Sequence, residues 1–354
     1  MNSFRLLVIL LCLGTPPILA AAPSPFAPAA TQQPKRVRVL AFADYFDPGV
    51  LQEFEQSSGY QIAYDAYDAS GAIPAKLRDG PYDLLILPGP ALAQEAASGA
   101  LQRFDKKKAP NAAKIAPMIA TKLAAYDKSG AYGVAYAWFA DGLLYDADKV
   151  PARLGAPPSS WAALFAPELT RRLFDCGIAT PDARDDLFVA AWRYLGIDPT
   201  KVAAPEIKRA SDLLARAKPG FRVFSAPDLA GALANGSSCL GIGGEGDARL
   251  AIARAKAAGQ KLDIRFALPR EGGPMSLDAI AIPRDAPDTA MGYALADFLL
   301  RPDIAARNAK AANVISSEAS VSDDMLKRLW PAGALPPLLA PLIDKEWTRL
   351  RAAK

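Results

Sequence analysis

Apolar strands that alternate with helices limit this chain to a small group of folds. The alternating stretch RVRVLAF begins at Arg36, the helical stretch DPGVLQEFEQSSG follows, and YDLLILP covers residues 82–88 and is apolar from Leu84 onward. Pro48 suits a first helical turn and Gly59 suits a helix end. Strands that are apolar on both faces are typical of parallel sheets covered by helices on both sides. The sequence therefore predicts an α/β fold.

The same alternation resumes in the second half of the chain. The helical stretches DDLFVAAWRYLG and IKRASDLLARAKPG end at Gly196 and Gly220, and the strand-like stretches RVF, SCLGIGG, LDIRFALP and DAIAIP follow. We expect two lobes built on parallel sheets. The apolar WFADGLLYDADKV, residues 138–150, lies where the first lobe passes to the second.

The first residues predict export from the cytoplasm. One Arg, an apolar run at residues 6–13 and small residues near Ala20 are typical of a secretory signal peptide, here residues 1–21. The apolar run is too short to span a membrane. Residues 22–35, rich in Pro and Ala, suit a flexible leader. In an exported protein the two remaining cysteines, Cys176 and Cys239, favour a disulfide; two unrelated buried thiols are the alternative.

Composition argues against several function classes. The chain has no His, which removes the commonest general base and the usual zinc ligand. Clustered aspartates still leave metal-assisted hydrolysis as an alternative, although no sequence-local metal motif is present. The 41 basic and 37 acidic residues give a net charge of +4 without a basic stripe, so nucleic acid is not an expected partner. We expect no enzyme activity, no metal and no cofactor.

A G-x-G-x-x-G pattern at Gly241, Gly243 and Gly246 has two interpretations. It matches the dinucleotide fingerprint in form, with Asp263 farther along the chain. A lone match of this kind is weak evidence, and the glycines equally suit a tight turn from a strand into a helix. The rest of the chain must decide between them.

Whole segments resemble a known family. RVRVLAFADYFDPGVLQEFEQSSGYQIAYDAYDA, YAWFADGLLYDADKV, LFDCGIATPDARDDLFVAAWRYLGIDP and LANGSSCLGIGGEGD occur in the same order as in periplasmic polyamine-binding proteins, the solute receptors of bacterial ABC importers. The putrescine-binding group is the most similar. The resemblance implies a two-lobed type II periplasmic-binding-protein fold, a Cys176–Cys239 pair, and a glycine-rich turn at a ligand cleft instead of a dinucleotide site. It also implies a monomer that captures a cationic solute and docks on a membrane permease.

The resemblance also implies lobe boundaries and ligand residues. Residues 36–142 and 277–317 form the first lobe, and residues 143–276 and 318–354 form the second. Hinges are expected near residues 138–146 and 269–278. The expected ligand-binding residues are Phe42, Asp44, Tyr45, Asp185, Glu245, Asp247 and Asp278, with Asp186 as the alternative to Asp185. Asp247 has a second interpretation as a helix cap. Glu245 and Asp141 are acids added near the site, which either attract a cation or face solvent.

Several aromatic residues of the family are replaced. Gly244 stands where the putrescine-binding group has Trp, Ser276 and Leu277 replace an aromatic pair, and Val314 replaces Tyr. The sequence thus predicts a wider, less aromatic pocket that keeps its negative charge. The ligand is then a polyamine or a related amine or guanidine. The alternatives are an unrelated solute, or a periplasmic sensor built on the same fold.

Overall fold

The structure is a computed structural model that describes residues 35–68, 70–226, 228–312, 314–316, 322–333 and 337–352. The predicted signal peptide and all but the last residue of the predicted leader lie outside these residues. Within the described ranges, no helix is both long enough and apolar enough to span a membrane.

The larger sheet is built mainly from the first half of the chain. Its strands, numbered in chain order, are β1 (Arg36–Phe42), β2 (Gln61–Tyr67), β3 (Leu84–Pro88), β4 (Gly133–Ala140), β10 (Pro274–Ala281), β11 (Ile315–Ser316) and β12 (Trp330–Pro331). They lie in the order β11-β4-β10-β3-β1-β2, and β12 pairs with β10. The pairs β1–β2 and β1–β3 are parallel, whereas β10 is antiparallel to both β3 and β4.

The smaller sheet is built from the middle of the chain. Its strands are β5 (Gly142–Asp146), β6 (Ile178–Pro181), β7 (Val223–Ala226), β8 (Leu240–Gly243) and β9 (Ile264–Ala267). The order is β7-β6-β8-β5-β9. Strand β6 is parallel to β7 and β8, and β5 is antiparallel to β8 and β9. We call the larger sheet, together with the helices packed on it, the larger lobe. The smaller sheet and its helices form the smaller lobe.

Helices cover both faces of each sheet. They are α1 (Pro48–Ser58), α2 (Ile73–Arg78), α3 (Gly89–Ser98), α4 (Pro117–Leu123), α5 (Lys149–Leu154), α6 (Ala162–Phe165), α7 (Pro167–Thr170), α8 (Arg184–Tyr194), α9 (Ala204–Ala217), α10 (Leu229–Ala234), α11 (Glu245–Ala257), α12 (Thr289–Leu299), α13 (Pro302–Ala312), α14 (Asp323–Arg328) and α15 (Ala340–Ala352). In β1, Val39 packs with Val50 of α1, and its neighbour Leu40 packs with Leu92 of α3 on the opposite face. Because successive strand residues point to opposite faces, both must be apolar, which confirms the α/β prediction.

The cap residues of α1 explain why this helix begins and ends where the sequence predicts. The Asp47 carboxylate accepts hydrogen bonds from the backbone N–H groups of Gly49 at 2.8 Å and Val50 at 3.2 Å. Pro48 occupies the first turn, and Gly59 ends the helix with φ of 71°. That left-handed conformation favours glycine because a Cβ atom would be strained there.

Two short connections between the lobes determine where the site lies. Asp141 alone joins β4 to β5, and residues 268–273 join β9 to β10. Asp141 lies within the first predicted hinge segment, and the second connection begins one residue before the predicted segment 269–278. The strands next to these connections, β4, β5, β9 and β10, all take part in antiparallel pairs. The pairs β1–β2, β1–β3, β6–β7, β6–β8 and β10–β12 are parallel, and the predicted parallel pairing describes these pairs only.

The predicted lobe boundaries differ slightly from the strand positions. Strand β10 begins at Pro274, before the predicted boundary at residue 277, and β12 joins the larger sheet from within the segment 318–354. Helix α15, from the same segment, contributes Ile343 and Trp347 to the core of the smaller lobe. The functional division into two moving bodies stays a prediction.

A disulfide joins Cys176 to Cys239, with the two Cα atoms 5.4 Å apart. The two cysteines lie just before β6 and β8, which are neighbours in the smaller sheet. The Cys239 backbone N–H also donates to the Gly177 carbonyl at 2.9 Å. The predicted pairing is confirmed. The disulfide links the N-terminal ends of the adjacent parallel strands β6 and β8.

Candidate functional site

A cavity of about 400 Å³ lies between the two lobes, and we call it the aromatic cavity. It is lined by Phe42, Tyr45, Tyr67, Ser70, Pro88, Phe139, Gly244, Glu245, Gly246, Asp247, Ser276, Asp278, Ala312 and Val314. Most of these residues belong to the larger lobe. The smaller lobe contributes the turn at the beginning of α11. Five of the residues predicted from the sequence, namely Phe42, Tyr45, Glu245, Asp247 and Asp278, come together here.

Asp278 on β10 provides the acid of the larger lobe. The Tyr45 hydroxyl donates a hydrogen bond to Asp278 Oδ2. Burial raises the pKa of Asp278 to about 6, and the bond from Tyr45 opposes that rise. Burial and the nearby Asp278 charge raise the pKa of Tyr45 well above its ordinary value. Tyr45 therefore stays protonated and holds the carboxylate in place.

Four aromatic residues, Phe42, Tyr45, Tyr67 and Phe139, line the same cavity as this acid. Phe42 and Tyr67 meet edge to face, with ring centroids 5.6 Å apart and planes at 88°. The Tyr67 hydroxyl is used elsewhere, because it donates to the Ile86 carbonyl at 2.9 Å. Phe139 completes the set from the end of β4. Phe42 is 42% exposed, so its face is open to the cleft.

Tyr67 and Phe139 were not predicted from the sequence as site residues. Tyr67 ends β2, where it pairs in register with Phe42, and Phe139 lies near the end of β4 beside the first predicted hinge. The position of Phe139 next to that hinge is a signal that could have identified it, whereas the pairing of Tyr67 with Phe42 is a long-range property. The pocket keeps more aromatic surface than the replacements at Gly244, Ser276 and Val314 suggested.

The smaller lobe meets the cavity through the turn GIGGEGD. Gly244 is the N-cap residue of α11, and its backbone N–H donates to Asp247 Oδ2 at 3.0 Å. Asp247 lies in the first turn of α11, where its carboxylate accepts this bond from the cap residue, and it also lines the cavity. It is not itself the N-cap residue, and its contact with a ligand stays a prediction. Burial raises the Asp247 pKa, and the bond from Gly244 opposes this. Glu245 is exposed and its carboxylate lies 3.4 Å from the Arg249 guanidinium. Solvent screening and this neighbouring positive charge both weaken the attraction of Glu245 for a cationic ligand.

The glycines of this turn serve packing. A Cβ atom on Gly241 would lie 2.7 Å from Leu229 Cδ1, and one on Gly243 would lie 2.7 Å from Asp247 Oδ2. Neither position has room for a side chain. The close approach of the sheet, the helix and the acid explains the G-x-G-x-x-G pattern without a phosphate ligand.

The two neighbouring acids of α8 differ in their surroundings. Asp185 forms an ion pair with Arg184 at 2.6 Å, and Arg184 also contacts Asp344. Asp186 is in no ion pair with a described Lys or Arg. Its pKa is raised to about 7 by burial and by the charge of Asp185. Asp186 is therefore the better candidate for the acid that faces a ligand.

Both α8 acids line a further cavity of about 570 Å³, the outer cavity. It shares Ser70, Pro88 and Ser276 with the aromatic cavity, so the two are parts of one cleft. Asp185 therefore lies beside the other predicted site residues, in the adjoining part of the cleft.

Asp44 lies apart from the other predicted residues. It is exposed and adopts a left-handed backbone with φ of 56°, which Asp tolerates better than most residues. It does not line the aromatic cavity. Its role in ligand binding stays a prediction.

Four acids of the cleft have no matching cation among the described residues. None of Asp141, Asp186, Asp247 and Asp278 is within ion-pair distance of a described Lys or Arg. Within the described ranges, no three His, Cys, Asp or Glu side chains come together closely enough to hold a metal ion. The cleft thus gathers acids whose pKa values are raised and that no described base neutralises.

Comparison with known proteins places the chain in a family. The sequence profile of bacterial extracellular solute-binding proteins matches residues 49–334. The putrescine-binding periplasmic protein SpuD of Pseudomonas aeruginosa is 30% identical over 90% of this chain and 93% of its own. The putrescine-binding periplasmic protein PotF of Escherichia coli is 29% identical over 90% of this chain and 92% of its own.

Solved structures agree on the fold. The spermidine/putrescine substrate-binding protein PotD of Streptococcus pneumoniae superposes with a TM-score of 0.78 at 17% identity, covering 90% of this chain and 98% of that chain. The two-lobed α/β architecture is therefore shared. With the profile match and the SpuD identity, it follows that the chain belongs to the family of bacterial extracellular solute-binding proteins, which bind solutes and are not enzymes.

Proposed function

We propose that this protein is the receptor of an ABC importer and captures a polyamine, or a related amine or guanidine, in the periplasm. The relatives SpuD and PotF are named for putrescine binding and for the periplasm. In this proposal the protein acts as a monomer, uses no cofactor and docks on a membrane permease. Nucleic acid is not a partner.

The observation that carries the proposal is the setting of Asp278. A buried carboxylate without a counter-cation is costly, and its raised pKa reflects that cost. An ammonium group beside it removes the cost by forming a charge-assisted hydrogen bond. The rings of Phe42, Tyr45, Tyr67 and Phe139 suit the methylene chain of such a ligand and attract its charge.

Ligand capture follows from the position of these residues on two lobes. Asp278 and Tyr45 belong to the larger lobe, and Asp247 belongs to the smaller lobe. A ligand that contacts both walls binds the closed arrangement better than an open one, which shifts the population toward closure. The connections at Asp141 and at residues 268–273 are the proposed hinges.

The proposal predicts that affinity for a cation rises with pH. The pKa of Asp278, raised to about 6, means that the group is mostly protonated at pH 5 and ionised at neutral pH. Only the ionised form pairs with an ammonium group, so binding at low pH requires loss of a proton. We expect the dissociation constant for putrescine to be about tenfold weaker near pH 5 than near pH 7.5, measured by titration calorimetry.

The pH experiment includes a control on the ligand charge and a control on folding, and one result would contradict the proposal. Putrescine keeps both charges over this range, so a change in affinity reports on the protein. The apo protein should remain folded at both pH values, as checked by circular dichroism. Affinity that is constant or that rises as the pH falls would contradict a carboxylate-based site.

A further inference from the structure

A second acid-lined cavity of about 450 Å³ lies beside the aromatic cavity at the crossing between the lobes; we call it the hinge cavity. It is lined by Phe139, Asp141, Pro181, Asp182, Ala183, Asp186, Leu229, Ile242, Gly243, Asp247 and Ser276. Phe139, Asp247 and Ser276 line both cavities. The two cavities therefore adjoin.

Asp141 is the residue that distinguishes this cavity. It is the single residue between β4 and β5, and its backbone N–H donates to the Pro274 carbonyl at 3.0 Å, next to the other crossing. Its position is thus fixed by both connections. A Cβ atom on Gly244 would lie only 3.3 Å from Asp141 Oδ1 and 3.7 Å from the Phe139 ring. A side chain at Gly244 would therefore crowd the Asp141 carboxylate.

The charges of the hinge cavity are not balanced by the protein. Burial and the charges of Asp186 and Asp247 raise the pKa of Asp141 well above its ordinary range. Among the described residues, its carboxylate accepts no hydrogen bond and pairs with no Lys or Arg. Asp182 differs, since Arg351 lies 3.8 Å from it. A cation in this cavity would relieve the mutual repulsion of Asp141, Asp186 and Asp247.

We propose that the hinge cavity is a second cation subsite, in which Asp141 and Asp186 hold an ammonium or guanidinium group of a ligand whose first cationic group lies at Asp278. Asp247 lies between the two groups and serves both. This inference rests on the proposed function and adds to it that the ligand carries at least two separated positive charges. Among the described residues no three acids converge closely enough to hold a metal ion, and the occupant we propose is an organic cation.

The test compares two acid-to-amide substitutions. Asp141→Asn removes the proposed contact, whereas Asp263→Asn removes an exposed acid that lies 2.8 Å from Arg265 and lines none of the three cavities of the cleft. With spermidine and agmatine as probes in titration calorimetry, we expect Asp141→Asn to weaken binding by about tenfold or more. We expect Asp263→Asn to change it by less than about threefold.

The outcomes separate the subsite from the proposed function. Equal losses of affinity in both variants, or unchanged affinity in Asp141→Asn, would overturn the subsite. Binding of the same probes to the wild type would still support the proposed receptor function. Absence of binding to the wild type would overturn both. The melting temperature of the apo Asp141→Asn protein should equal or exceed that of the wild type, because a repulsive group is removed. A lower melting temperature together with weaker binding would mean that Asp141 is only a structural hinge residue.

Discussion

Asp278→Asn is expected to weaken putrescine binding by about 2–5 kcal/mol, which corresponds to roughly 30-fold to several thousandfold. The substitution keeps the shape of the side chain and an oxygen that can accept the Tyr45 hydrogen bond. It removes the charge that would face the ammonium group. Titration calorimetry of the two proteins at neutral pH measures the difference directly.

A matched control for Asp278→Asn is Asp285→Asn. Asp285 is an exposed acid of the larger lobe that does not line the aromatic cavity. Its substitution makes the same change in net charge, so it corrects for long-range electrostatics. We expect it to leave the affinity unchanged within about twofold. Similar affinities for Asp278→Asn and wild type would show that the ligand does not contact this acid.

Replacement of both Cys176 and Cys239 by Ala is expected to lower the free energy of unfolding by about 4 kcal/mol. The disulfide closes a loop with a sequence separation of 63, and losing it increases the conformational freedom of the unfolded chain. Both residues are buried, so Ala adds no polar group to the core. Urea unfolding followed by circular dichroism gives the difference, and equal midpoints for the two proteins would contradict the prediction.

The parts of the fold that could be predicted from the sequence are those with a local signal. The apolar stretch at Leu84–Pro88 and the Pro and Gly residues around α1 indicate a strand and a helix without knowledge of their neighbours. The antiparallel pairing of β10 between β3 and β4 has no such signal. It depends on a chain that returns from the other lobe, which is a long-range property. Helix α15 crosses to the smaller lobe for the same kind of reason.

The site residues also divide into those that the sequence indicates and those that depend on contacts made by the fold. Asp247 and Asp278 were found through segments that resemble a known family, and the structure brings both to one cavity. The choice between Asp185 and Asp186 depends on a neighbouring side chain, because Arg184 pairs with the first and leaves the second facing the cleft. Spacing along a helix does not contain that information.

The added acid Asp141 was noted from the sequence, but its surroundings were not. Its role depends on the space that Gly244 leaves and on the proximity of Asp186 and Asp247, which the fold brings from two other segments of the chain. The sequence left open whether this acid attracts a cation or faces solvent. Its place in the hinge cavity favours the first interpretation.

The measurement that tests the central claim most directly is a thermal-shift screen of the mature protein. The screen contains putrescine, spermidine, agmatine, basic amino acids, and neutral solutes of similar size such as 1,4-butanediol. A ligand at 100 times its dissociation constant stabilises the folded state by about 2.7 kcal/mol, which gives an easily measured shift. We predict a shift with the polyamines or agmatine and none with the neutral solutes. A shift with neutral or anionic solutes alone would contradict a cation receptor built on Asp278 and its neighbouring acids.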